Sequence, residues 1–176
     1  MTYIQVLEIL GEPGSGCSQL CQQIAIDAAI SNIIGDSSDH SKVLYIDCEG
    51  GLYLKRLKQI ASAAITHLLH FNKDTKITPD EILSNINIIR CTDYVQLLSA
   101  IRFQAPNHNV IIVDSITTHF RHEFDDMRKR TRILASLSLQ LHKLSRSSSA
   151  IVLVNQLLHQ GDALHPCLGE TWSGIS

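Results

Sequence analysis

Eight residues near the amino terminus, Gly11, Glu12, Pro13, Gly14, Ser15, Gly16, Cys17 and Ser18, have the composition of a loop that wraps phosphate. In the pattern G-x-x-x-x-G-K-[ST], glycines let backbone N–H groups close around anionic oxygens, lysine neutralises them, and the hydroxyl holds Mg²⁺. Gly11, Gly16 and Ser18 fall on their positions, but Cys17 stands where lysine belongs. A plain glycine turn between a strand and a helix would use the same letters.

Three further segments carry polar groups that could act with this loop. "VIIVD" ends in Asp114, which could hold Mg²⁺ or simply cap the next loop. "YIDCEGG" supplies Asp47 and Glu49. Glu49 could polarise a water attacking a γ-phosphate, or both could be solvated turn acids. "VLVNQ" supplies Gln156, which could sense a phosphate or satisfy backbone groups in a turn.

These groups need a scaffold that brings them together. Apolar runs at 6–10, 43–47, 86–90, 110–114 and 150–155 read as buried strands. Between them, 19–30 places Leu20, Ile24 and Ala28 at helical spacing, and 54–70 carries an apolar face from Leu54 to Leu68. Pro79 suits the first turn of a short helix ending near Ile86. Thr92 and Asp93 offer an N-cap to a helix with Tyr94, Leu97, Leu98 and Ile101. Residues 127–144 form the strongest periodic helix, with Arg130 inside its apolar stripe. "GDSSDHS" (35–41) and "SRSSS" (145–149) read as surface connections. Alternating strands and helices imply an α/β fold with a mainly parallel sheet, whose ligands bind at the carboxyl ends of the strands. Every polar segment above follows such an end.

Bulk properties narrow the function. The 176 residues suggest one domain spanning 1–176, with 44% hydrophobic and 18% charged residues. Net charge −2 lacks the overall basic footprint of an autonomous nucleic-acid binder, so any DNA contact must come from a local patch. No apolar run reaches the ~18 residues that cross a bilayer. The five cysteines form no C-x-x-C pair and read as reduced, mostly buried thiols.

Taken in order, "GEPGSGCSQLCQQIAIDA", "VLYIDCEGGL", "ILSNINIIRCTDYVQLLSAI", "VIIVDSITTHFRHEFDDMRKRTRILASLSLQLHKLS", "AIVLVNQ" and "LGETWS" resemble a RecA/RadA-type recombinase ATPase core. The "RCTDY" and "FRHEFDD…RTR" stretches look most like the "C" paralogue of the eukaryotic recombinase. The resemblance implies a RecA-like P-loop core in which Gly11 to Ser18 and Gln19 hold ATP. Glu49 matches the catalytic glutamate, and Arg56 the arginine that packs on adenine. Ser18 and Asp114 match the Mg²⁺ site, Asp114 being the Walker B aspartate. Gln156 matches the glutamine that couples nucleotide state to DNA. Residues 120–132 would contribute to a first DNA-facing loop and 157–167 to a second. Arg121 is the better-placed DNA candidate. Arg128, Lys129, Arg130 and Arg132 form a basic cluster that reads first as a solvated helix face and second as a DNA contact, and Trp172 reads as packing. The implied role is nuclear DNA double-strand break repair by homologous recombination, meiotic repair included, in a hetero-oligomer with other recombinase paralogues on single-stranded DNA.

The chain departs from that pattern. Cys17 brings no fixed positive charge. A lost hydrogen bond to a charged group costs about 1.5–3 kcal/mol, roughly 10- to 150-fold in affinity, so weak ATP binding and little hydrolysis are expected. The sequence also begins almost at the first core strand, without the family's N-terminal helical domain, and stops at Ser176, where the family core continues. A truncated core is therefore expected. Two other readings stand beside the ATPase: an inactive pseudo-ATPase adaptor that scaffolds other paralogues, and an unrelated P-loop kinase, for which no arginine-rich lid is visible.

Overall fold

The computed structural model describes residues 6–35, 42–71, 76–122, 124–147, 149–160, 163–168 and 172. Five parallel strands, β1 (Val6–Gly11), β2 (Val43–Asp47), β3 (Ile86–Arg90), β4 (Val110–Asp114) and β5 (Ala150–Gln160), form a sheet in the order β1-β5-β4-β2-β3. A sixth strand, β6 (Ala163–Pro166), pairs antiparallel with the end of β5. The helices are α1 (Cys17–Ile34), α2 (Leu54–Phe71), α3 (Pro79–Ser84), α4 (Tyr94–Phe103), α5 (Thr117–His122) and α6 (Met127–Arg146). This is the expected α/β fold with a mainly parallel sheet.

Alternation along the inner strands divides the core into two layers. Leu44, Ile46, Ile111, Val113, Ile151 and Leu153 pack with Leu97, Ile101, Leu137 and Leu141 of α4 and α6. Val43, Tyr45, Ile112, Val152 and Val154 face the other way, onto Ala25, Ile26, Leu57 and Ile82 of α1, α2 and α3. A strand covered on both faces must be apolar at every position; β2 is accordingly buried throughout. Each fully buried Leu, Ile or Val adds about 1.5–3 kcal/mol of hydrophobic stabilisation.

Local chemistry explains most boundaries. Asp93 caps α4 through its carboxylate and the Gln96 N–H at 2.8 Å. Thr78 and Glu81 form a reciprocal capping box on α3, whose end at Ser84 leaves Ile86 to open β3. Other expectations shift. The buried stripe of α1 is Cys21, Ala25 and Ala29 with Ile26 and Ile30, one position from the Leu20–Ile24–Ala28 stripe; small residues let the helix lie close to the sheet and leave Leu20 exposed. Of the surface connection expected at 145–149, Ser145 and Arg146 belong instead to α6, and Ser149 is buried and donates to the His108 carbonyl at 2.9 Å. The connection expected at 35–41 lies, beyond Gly35, outside the described residues.

Candidate functional site

The parallel register sets Gly11, the last residue of β1, beside Gln156 of β5, and Asp47 beside Asp114. The strand ends thus bring residues far apart in sequence to one edge of the sheet. They enclose a cleft of about 240 Å³ lined by Gly11 to Gly14, Gly16 to Gln19, Glu49, Asp114, Val154 and Gln156.

The cleft floor is the glycine loop. Gly14 and Gly16 adopt φ of 85° and 98°, in the left-handed region that L side chains rarely enter. Ser15 N–H donates to the Glu12 carbonyl at 3.1 Å and closes the turn. A Cβ on Gly11 would meet Cys17 Sγ and Ser15 Oγ, so a larger residue there would have to push those two side chains aside. Gly16 then opens α1 with no side-chain cap and no acid in the first turn. The first N–H groups of an 18-residue helix therefore face the cleft without an internal carbonyl partner, which favours an anion. Cys17 occupies the first helical position, with Sγ 3.3 Å from Ser15 Oγ.

Beneath the loop, Ser18 Oγ donates to Asp114 Oδ1 at 3.1 Å. Asp114 is 6% exposed, and its other oxygen accepts the Tyr45 hydroxyl at 2.6 Å. Burial pushes the Asp114 carboxyl above its ordinary value, against the hydrogen bonds from Tyr45 and Ser18, which lower it. A hydroxyl and a carboxylate are hard oxygen donors that suit Mg²⁺. Among the described residues no three His, Cys, Asp or Glu side chains cluster for a metal, so a cation here would draw its other ligands from phosphate and water.

Opposite the loop, Glu49 Oε1 accepts three donors: Gln156 Nε2 at 2.5 Å, Ser115 Oγ at 2.7 Å and Thr118 Oγ1 at 3.3 Å. Asp47 is not its chemical twin. It is 5% exposed and accepts the N–H groups of Glu49 and Gly50 at 3.2 and 2.6 Å, which fixes the turn that presents Glu49. Arg56 reaches the cleft edge through Gln19, its Nε donating to Oε1 at 3.1 Å.

The basic residues separate. Arg121, Arg128 and Lys129 are exposed. Arg130, read with them as a DNA contact, is turned inward: Nε donates to the Phe120 carbonyl at 2.8 Å and Nη2 to the Cys167 carbonyl at 3.3 Å. Its place in the apolar stripe of α6 forces that direction. Within the stretch 157–167, expected to contribute a second DNA-facing loop, Leu157–Gln160 end β5 and Ala163–Pro166 form β6, with Leu157 opposite Pro166 and Gln160 opposite Ala163. Trp172 is buried against the α6 core, as expected of a packing residue. A larger apolar cavity of about 350 Å³, between Leu134, Leu139, Leu168 and Trp172, holds none of the cleft residues.

Sequence reasoning missed Tyr45, Ser115, Thr118 and His159. The first three touch Asp114 or Glu49 but occupy positions that read as core or turn. His159 Nε2 lies 2.8 Å from Glu12 Oε1, tying β5 to the glycine loop, a contact that exists only because β5 continues past Gln156.

The Rad51 family model matches residues 1–171. A DNA repair protein RAD51 homolog 3 from Cricetulus griseus is 33% identical over 190 residues, covering 96% of this chain and 51% of the relative. Its namesake from Dictyostelium discoideum is 32% identical over 191 residues, covering 97% and 50%. A DNA repair and recombination protein RadA from Metallosphaera sedula is 32% identical over 168 residues, covering 90% and 48%. The chain spans about half the length of these relatives.

Proposed function

The chain belongs to the Rad51 family, close to its "C" paralogue, and on that premise we propose that it is an ATP-binding DNA-repair protein of homologous recombination with weak hydrolysis. One observation carries the nucleotide reading: Ser18 and Asp114, 96 positions apart, meet at 3.1 Å directly beneath a glycine loop that opens a helix. Backbone N–H groups of the loop would hold the phosphates, Ser18 and Asp114 would hold Mg²⁺, and Arg56, beside Gln19, would meet the base. Mg²⁺ would supply neutralisation of phosphate charge. Glu49, held by Gln156, Ser115 and Thr118, orients and deprotonates the attacking water.

Cys17 limits this chemistry. The position that should present a cation to the phosphates presents a thiol, and charge developing in the transition state goes unmatched. Arg121, Arg128 and Lys129 form the local basic surface for single-stranded DNA, with Arg130 as its internal support. The chain works in the nucleus, in hetero-oligomers with other recombinase paralogues, in double-strand break repair that includes meiotic repair. Cys17 also supports a second reading, an adaptor that scaffolds those paralogues without turnover.

Labelled ATP turnover with and without single-stranded DNA tests the choice. Slow turnover that DNA accelerates supports the ATPase. Partner and DNA binding that ignore nucleotide support the adaptor. Robust turnover without DNA contradicts both.

A further inference from the structure

We propose that Tyr45 is a positioning residue for the metal site, fixing which carboxylate oxygen of Asp114 faces Ser18; the role rests on the nucleotide reading above. Tyr45 sits in the middle of β2 on the face covered by α1, and its side chain is fully buried. Its register partner on β4 is Ile112, two residues before Asp114. A strand rises about 3.3 Å per residue, and side chains lean along the strand. The phenol therefore runs beside β4 until its hydroxyl meets Asp114 Oδ2 at 2.6 Å.

A carboxylate has no proton to give, so the Tyr45 hydroxyl donates and Asp114 Oδ2 accepts. Packing alone would be served by phenylalanine. A phenylalanine would leave Oδ2 of a carboxylate that is 6% exposed without its donor, and burying such a group unpaired is costly. The terminal torsion of an aspartate is broad and two-fold, so nothing in its own rotamer prevents the two oxygens from exchanging. Tyr45 on Oδ2 and Ser18 on Oδ1 remove that freedom. Asp114 then presents one fixed oxygen to the metal locus, and less ordering remains when the metal–nucleotide complex arrives.

The test compares the chain with Tyr45→Phe, titrating a fluorescent ATP analogue at millimolar protein-compatible concentrations across a range of Mg²⁺, and again in EDTA. The expected result is a rise of about tenfold in the Mg²⁺ concentration for half-maximal binding, the lower end of what losing a hydrogen bond to a charged group produces. Metal-free binding stays within about twofold, because the loop N–H groups are untouched. An unchanged Mg²⁺ midpoint in folded Tyr45→Phe, with the unaltered chain still Mg²⁺-dependent, overturns this role and leaves the nucleotide reading intact. An unaltered chain that binds no nucleotide overturns both. If Tyr45→Phe does not fold, 3-fluorotyrosine placed at position 45 reports instead. Its ¹⁹F resonance should move when Mg²⁺ is added to the nucleotide-saturated chain, and a resonance that stays put overturns the proposal.

Discussion

Glu49 and Gln156, 107 positions apart in the chain, meet at 2.5 Å across the cleft. The contact ties the turn after β2 to β5, which sits beside the glycine loop through the Gly11–Gln156 register. Glu49 on the cleft wall therefore lies one hydrogen bond from the strand that goes on to pair with β6.

The first prediction concerns Glu49. In a Cys17→Lys background, where turnover is large enough to follow, Glu49→Gln should lower ATP hydrolysis by about 100-fold or more, the usual worth of a positioned base. Nucleotide affinity should change by less than about threefold, since glutamine keeps an oxygen for the Ser115, Thr118 and Gln156 donors. Steady-state turnover beside equilibrium titration separates the two effects.

Arg130 should behave unlike its neighbours. Arg130→Ala removes donors from two internal carbonyls and should cost about 2 kcal/mol, or roughly 4–8 °C in Tm for a chain of this size. Arg128→Ala and Lys129→Ala, both exposed, should stay within about 0.5 kcal/mol. They should instead weaken single-stranded DNA binding and flatten its salt dependence. Thermal melts and salt-dependent DNA titrations on the three variants check this.

Asp114 should lower stability at neutral pH in return for its chemistry. Its carboxyl is raised above the ordinary value, chiefly by burial. Below both the folded and unfolded values it is neutral in both states and adds no pH dependence. As pH rises through the raised folded value, the native state must bury a charge and loses stability relative to the unfolded chain. Without nucleotide or metal, Asp114→Asn should therefore melt higher than the parent at pH 7–8. That gap should shrink on acidification below the ordinary carboxylate range. Mg²⁺-dependent nucleotide binding should be lost in the same variant. Melts across pH, paired with nucleotide titrations, read both.

Much of this was legible in the residues. Strands buried on both faces announce themselves as apolar runs, which is why 43–47 and 110–114 matched β2 and β4 to the residue, while 86–90 matched β3 in extent although that edge strand is buried only at Ile86. The cleft residues were visible because parallel α/β sheets gather their ligands at strand ends. What was hidden has physical reasons. Tyr45 lies inside an apolar run, and its hydroxyl has meaning only through the register of β2 on β4. Asp47 and Glu49 look alike in sequence, and only the backbone of the turn separates the buried cap from the cleft acid. The pairing of β5 with β6 beyond Gln156 was hidden by His159, Gln160 and His165, polar residues typical of a loop.

On the proposed reading, the loop, the helix terminus, Ser18 and Asp114 form a phosphate and metal site that lacks one cation, at Cys17. Titration calorimetry of Mg²⁺–ATP into the chain and into Cys17→Lys measures that claim. Affinity should rise roughly 10- to 150-fold in Cys17→Lys, as expected when a charged hydrogen-bond donor is restored. Equal affinity in the two forms, or no binding by either, would contradict it.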